Sequence, residues 1–333
     1  MTPAIPGLPT VAVLSLGGTI ASVPTGSGGV SPGLGGQDLL AAVPEVGAVA
    51  DVVSRSVAQV PGAHLTIDDI VSLAATVEEA HRDGATGVVI TQGTDTIEDT
   101  AFLLDILVAG PAPVVVTGAM RNPTLPGAEG PANLLASVAV AADPAAKELG
   151  TLVVMNDEIH AARFVSKRHT SSPHAFASYP GPIGWMAEGR PHLALRPIGR
   201  LRLPPPPPSA RQRVALLALP VGDDGFLIEA AAEHAADGLV VEALGGGHVP
   251  PATLIRLETA ARRIPVVVTS TTRAGHVLRS TYDFAGSELD LSRRGVIGGG
   301  CLDARKARLL LTLLLRSGAD RTRIAATFSD PWT

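Results

Sequence analysis

The sequence predicts an α/β protein with a larger N-terminal and a smaller C-terminal domain, each built on a mainly parallel sheet flanked by helices. Three observations carry that prediction. Short runs rich in Val, Ile and Leu alternate with stretches of helical spacing, the pattern of parallel βαβ units. The chain has 333 residues, 46% of them hydrophobic and 17% charged, which gives it the length for two cores and a composition far from disorder. Aromatic residues make up only 3%, so Val, Leu and Ala must fill interiors of the kind found between helices and a parallel sheet.

Taken in order, Val11 to Leu16 is a short apolar run that ends on a glycine pair and reads as a buried strand. Ile67 to Arg82 has helical spacing, and the strand Val88 to Thr91 follows it. Ile97 to Val108 reads as a helix, Val114 to Thr117 as a strand, Ala132 to Ala142 as a helix and Leu152 to Met155 as a strand. The C-terminal part repeats the alternation, with strands at Val214 to Leu219, Leu239 to Leu244 and Val266 to Thr269. Its helices fall at Phe226 to Ala236, Pro251 to Arg262 and Asp303 to Arg316. Between the two parts, Leu203 to Ser209 holds five consecutive prolines, a composition that favours a semi-rigid extended connector. The domains are therefore set at 1–202 and 214–333, with 203–213 as the linker. An SH3-type ligand is the other use of such a run, and a linker is the simpler one.

Composition excludes several functions. A formal net charge of -5 and scattered basic residues leave no footprint for nucleic acid. No apolar run approaches the roughly 20 residues that a membrane span needs, so no membrane partner is expected. The N-terminus lacks a basic region and is broken by three prolines, which does not read as a cleaved signal, and the single Cys301 fits a reducing compartment. The expected location is the cytoplasm. Cys301 itself reads as a small buried residue beside a glycine run.

Three segments carry candidate chemistry. Leu16-Gly17-Gly18-Thr19 follows the first strand, where ligands bind in open α/β sheets and where paired glycines permit close backbone approach. A capping Thr in a tight turn explains this loop alone equally well. Gln92-Gly93-Thr94-Asp95-Thr96 follows the second clear strand and opens a helix, whose N-terminal N–H groups favour an anion or a developing oxyanion. Thr96 with Asp99 reads as a variant capping box, but capping does not use all of Thr94, Asp95, Thr96, Glu98 and Asp99. Lys167, in Ser166-Lys167-Arg168, serves as a base toward a threonine hydroxyl if burial lowers its pKa; alone it reads as a solvated lysine.

Together, LGGTIAS near the N-terminus and TQGTDTIEDTAFLLD about 75 residues later resemble the two signature regions of the bacterial asparaginase and glutaminase family. The resemblance continues through Thr117-Gly118-Ala119-Met120-Arg121, Gly127 to Pro131, Val154 to Asp157 and Leu302 to Arg308. It implies two α/β domains, hydrolysis of a small carboxamide without metal or organic cofactor, and a homotetramer built as a dimer of dimers, with each site lying between subunits. Carried over by position, it makes Thr19 the first-loop threonine usually assigned as nucleophile and Thr94, Asp95 and Lys167 a second triad. Gly18, Gly62, Ala63, Gly93, Thr94, Asp95 and Ala119 fall at substrate-binding positions.

The sequence departs from the family pattern at three places. Ser22 to Gly36 is rich in glycine and lacks the tyrosine expected near Gly29 or Val30; Tyr179 and Tyr282 are the only tyrosines. Gly62 and Ala63 stand where a serine and a polar residue usually meet the substrate α-groups, and Gly246 stands where a partner-supplied asparagine is expected. Amide hydrolysis is thus implied more firmly than free asparagine as the substrate, and Gly62→Ser is expected to improve asparagine binding wherever the backbone tolerates it. A nucleotide-binding module, the rival from the same architecture, finds neither G-x-G-x-x-G nor a Walker lysine in these loops. A catalytically silent ligand-binding relative is the other rival.

Overall fold

The computed structural model describes residues 7–26, 28–208 and 210–329. The chain divides into two compact units, Met1–Leu203 and Pro204–Thr333. In the first unit, β1 (Thr10–Ser15) leads to a hairpin of β2 (Ser22–Pro24) and β3 (Val30–Pro32), then α1 (Gly36–Ala41) and β4 (Asp51–Ser56). α2 (Ile67–Arg82), β5 (Gly87–Thr91), α3 (Ile97–Leu107), β6 (Val114–Thr117), α4 (Gly130–Ala142) and β7 (Thr151–Met155) continue the alternation. Five short strands close the unit: β8 (Glu158–Ala161), β9 (Val165–Lys167), β10 (Phe176–Ser178), β11 (Gly184–Ala187) and β12 (Arg190–Leu193).

The main sheet has the order β12-β11-β8-β7-β6-β5-β1-β4. β4, β1, β5, β6 and β7 run parallel, while β8, β11 and β12 add an antiparallel end. β5, β6 and β7 are buried at every residue, as expected for central strands covered on both faces. β4 lies at the edge and is half-exposed, so it has no continuous apolar run by which the sequence would reveal it.

The segment after β12 is fastened to α3 by a buried ion pair. Asp105 accepts from Arg200 Nε at 3.0 Å and from the Thr151 backbone N–H at 2.8 Å, and Arg200 also donates to the carbonyls of Asp105 and Val108. With these bonds the buried charges are paired and hydrogen-bonded. Leu203 ends the unit with its N–H on Ile106 O at 3.0 Å.

The second unit contains β13 (Val214–Ala218), α5 (Phe226–Glu233), β14 (Gly238–Ala243), α6 (Leu254–Arg263), β15 (Val266–Ser270) and α7 (Glu288–Arg293). β16 (Ile297–Gly298), α8 (Ala304–Arg316) and α9 (Arg321–Ser329) complete it. Its four-stranded sheet, β13-β14-β15-β16, is parallel throughout. The predicted fold class holds for both units. Cys301 is half-buried, so its expected burial is only partial. Among the described residues, no helix is long and apolar enough to cross a membrane.

Candidate active site

β4, β1, β5 and β6 are neighbours and run parallel, so the loops that follow them leave one edge of the sheet. These loops carry Gly62 and Ala63, Gly18 and Thr19, Gly93 to Asp95, and Ala119. Every residue that the sequence offers as catalytic or substrate-binding is on them except Lys167, which ends β9.

The first three loops touch backbone to backbone. A Cβ built on Gly18 would stand 2.1 Å from Gly93 N, and one on Gly62 would stand 2.8 Å from Gly93 O. Leu16 N–H donates to Thr91 O at 2.8 Å and Val60 N–H to Leu16 O at 3.0 Å. Only glycine fits such a junction, and Gly18 also holds φ 84° with ψ −172°. Thr19 and Thr94 each follow a glycine of the Gly18–Gly93 contact, which brings residues distant in sequence to one place.

Gly62 does not have a positive φ, but its Cβ direction is blocked by Gly93. The condition set for a serine at position 62, that the backbone tolerate it, is therefore not met: the obstacle is backbone of the neighbouring loop. Ala119 is buried behind β6, where Gly118 O accepts from Asn133 Nδ2 at 3.0 Å.

Thr94 and Asp95 lie in a 3-10 turn, Thr94–Thr96, that runs directly into α3. Lys167 Nζ lies 2.8 Å from Thr94 Oγ1 and 2.7 Å from Asp95 Oδ1. The lysine side chain is 15% exposed and that of Asp95 67%, so the amine is sheltered at the base of the cluster while the carboxylate faces solvent. Backbone bonding fixes the lysine: β9 pairs with β10 in the register Phe176↔Lys167, and Lys167 N–H donates to the buried Glu98 carboxylate at 3.0 Å. Glu98, which the sequence offered only as one polar residue among several, thus ties α3 to the strand carrying Lys167.

The expected capping role of Thr96 is not observed. As the residue before α3 it makes no side-chain cap bond; its hydroxyl donates to Gly62 O at 3.0 Å and accepts from Gln92 Nε2 at 3.2 Å.

The β9–β10 hairpin has a second fastening that the sequence reading missed. His160 Nδ1 lies 2.9 Å from Ser178 Oγ, and Glu158 Oε2 lies 3.4 Å from His160 Nε2 and 3.1 Å from His174 Nε2. His160 is fully buried. Burial lowers its pKa from the ordinary 6.5 to about 4, with Glu158 opposing that shift and His174 reinforcing it. The unfolded chain therefore takes up this proton first, so the stability contribution is complete above about pH 6.5 and is lost as pH falls toward 4. Acidification across that window is expected to remove about 3 kcal/mol through this group alone. Melting curves of wild type and His160→Gln from pH 7 to 4 check this, since the substitution should flatten the pH dependence; identical slopes would exclude the histidine.

In the second unit, His248 lies close to Gly246, with its Cε1 3.3 Å from a Cβ built there. Its Nε2 lies 3.1 Å from Glu288 Oε2, and its ring packs against Tyr282 and Phe284. Gly246 itself faces Leu278.

Two threonines thus stand on strand-end loops of an α/β sheet, and one of them, Thr94, is bonded to a lysine amine that also meets a carboxylate. Family models carry this further: Asparaginase, N-terminal matches residues 10–198, and Glutaminase/Asparaginase C-terminal domain matches residues 213–328. The chain is 38% identical over 328 residues to a probable L-asparaginase of Deinococcus radiodurans, covering 97% of this chain and 98% of the relative. It is 36% identical over 317 residues to the L-asparaginase of Bacillus licheniformis, covering 92% and 95%. A crystal structure of a probable cytoplasmic L-asparaginase from Campylobacter jejuni superposes with a TM-score of 0.85 at 30% identity, covering 96% of this chain and 99% of the other. The chain belongs to the asparaginase family of amidohydrolases.

Proposed function

We propose that this chain hydrolyses a small carboxamide, L-asparagine in the first instance, to the carboxylate and ammonia through a threonyl acyl-enzyme. The observation that carries the reading is the bridge from Lys167 Nζ to Thr94 Oγ1 at 2.8 Å and to Asp95 Oδ1 at 2.7 Å. A carboxamide has a poor leaving group, and an acyl-enzyme divides its hydrolysis into two easier steps. Family resemblance usually assigns the attack to Thr19, with Thr94 as the alternative nucleophile. The attacking oxygen bonds to the amide carbon, the C–N bond breaks, and the nitrogen leaves as ammonia with the hydroxyl proton. Water then adds to the ester, the acid is released, and a proton returns to the threonine. Thr94, with the Lys167 amine on its hydroxyl and Asp95 beside it, activates the water; Asp95 is also available for a substrate ammonium. Backbone N–H groups near Thr94 stabilise the oxyanion.

Gly62 and Ala63 favour a second reading of the substrate. With no hydroxyl at 62 to donate to an α-carboxylate, free asparagine loses a contact worth about 1.5 to 3 kcal/mol, and a different carboxamide becomes the better substrate. Ammonia release from asparagine, glutamine and their α-blocked analogues tests both readings, and acid quench with peptide mass analysis identifies the acylated threonine. No ammonia from any carboxamide would leave only a ligand-binding relative. Family resemblance further supports a homotetramer, a dimer of dimers, in the cytoplasm. Sedimentation tests the assembly, and cell fractionation tests the location, which matters because a relative from Haemophilus influenzae, 32% identical, is named as periplasmic.

A further inference from the structure

Thr96 occupies the N-cap position of α3, where a threonine ordinarily accepts from the first turn of its helix. Here it makes no such bond. Its hydroxyl instead crosses to the loop after β4 and donates to Gly62 O at 3.0 Å. The buried Gln92 fixes the direction of that bond, because its amide nitrogen donates to Thr96 Oγ1 at 3.2 Å and to Gly93 O at 3.3 Å. With the Gln92 amide as donor, the Thr96 proton is directed at Gly62.

The same stretch of chain, Gln92 to Thr96, holds Thr94 on Lys167 and holds the Gly62 loop against Gly93. Gly62 and Gly93 have no side chains to key the two loops together, so rotation of the peptide that follows Gly62 is limited by two bonds to its carbonyl, from Thr96 Oγ1 and from Leu65 N–H at 3.2 Å.

We infer that Thr96, oriented by Gln92, is a positioning residue that sets substrate affinity by locking the Gly62–Ala63 backbone beside the Thr94 cluster. This rests on the proposed reading of that cluster as the place where the carboxamide reacts. A residue acting on the binding wall and not on the reacting atoms changes KM, while interactions made only in the transition state change kcat.

The experiment compares wild type, Thr96→Val and Thr96→Ser in steady-state asparagine hydrolysis, in titration with L-aspartate and in hydrogen exchange across residues 59–65. Valine keeps the shape and removes the hydroxyl; serine keeps the hydroxyl. Thr96→Val is expected to raise KM and the aspartate dissociation constant about tenfold, to keep kcat within about twofold and to speed exchange in the 59–65 segment. Thr96→Ser is expected to restore most of the wild-type affinity. A folded Thr96→Val with unchanged KM and exchange overturns the inference, as does a loss confined to kcat, which would put Thr96 in the proton path. If Thr96→Val does not fold, Thr96→Ser and Gln92→Leu carry the test: weakened binding is required of Gln92→Leu alone, and equal affinities overturn the inference. A wild type that neither releases ammonia nor binds aspartate overturns the reading of the site and this inference with it.

Discussion

Lys167→Met is expected to lower kcat/KM by a factor of about 10³, within the range ascribed to a positioned acid or base, while the protein stays folded. Methionine preserves the unbranched stem and most of its packing, so the change isolates the nitrogen that lies 2.8 Å from Thr94 Oγ1. The strand itself is held by the backbone, through the register of β9 with β10 and the Lys167 N–H bond to Glu98. Neither depends on the amine. Thr94→Val is expected to reach a similar loss, and the double variant to be little worse than either single one, because groups that act as a unit are not additive. Ammonia release measured across pH, beside circular dichroism of each variant, checks the set. A folded Lys167→Met with an unchanged rate at every pH would return this residue to an ordinary lysine that happens to contact a threonine.

What was legible in the sequence follows from how each element is buried. β5, β6 and β7 are buried along their whole length and announce themselves as apolar runs. β4 and the short strands from β8 to β12 mix polar with apolar residues, and pairing gives them their structure where local pattern does not. At the site, the loops carrying Thr19 and Thr94 were legible because glycines and hydroxyls follow clear strands. The contact of Lys167 with Thr94 spans 73 positions, and family resemblance gave the only warning of it. Thr96 was misread because a threonine before a helix has a strong local use as a cap, and only the folded chain brings Gly62 O within its reach. His160 carried no sequence signal: a lone histidine in Glu158 to Ala161 does not reveal that Ser178 will meet it.

Gly62→Ser is expected to destabilise the first unit by about 3 kcal/mol, the upper part of the range for overpacking a close contact, and to weaken carboxamide turnover. The serine would bring a donor to the position where one is missing, but its Cβ would lie 2.8 Å from Gly93 O and 3.1 Å from Gly93 C. Both are backbone atoms, and Gly93 has no side chain to shorten in compensation, so relief requires the loop after β4 to move away from the loop after β5. That movement pulls Gly62 O from Thr96 Oγ1, now at 3.0 Å, and disturbs the residues adjoining Thr94. The same reasoning makes Gly18→Ala more damaging, because its Cβ would lie 2.1 Å from Gly93 N in a backbone conformation with φ 84°. Specificity at position 62 is therefore bound to the packing of three loops, and a family serine cannot be restored there by one substitution. Thermal melts of both variants with kcat/KM on asparagine and its α-blocked analogue measure this. A Gly62→Ser protein as stable as wild type that binds asparagine more tightly would mean that the loops have the slack this geometry denies, and the expectation drawn from sequence would stand.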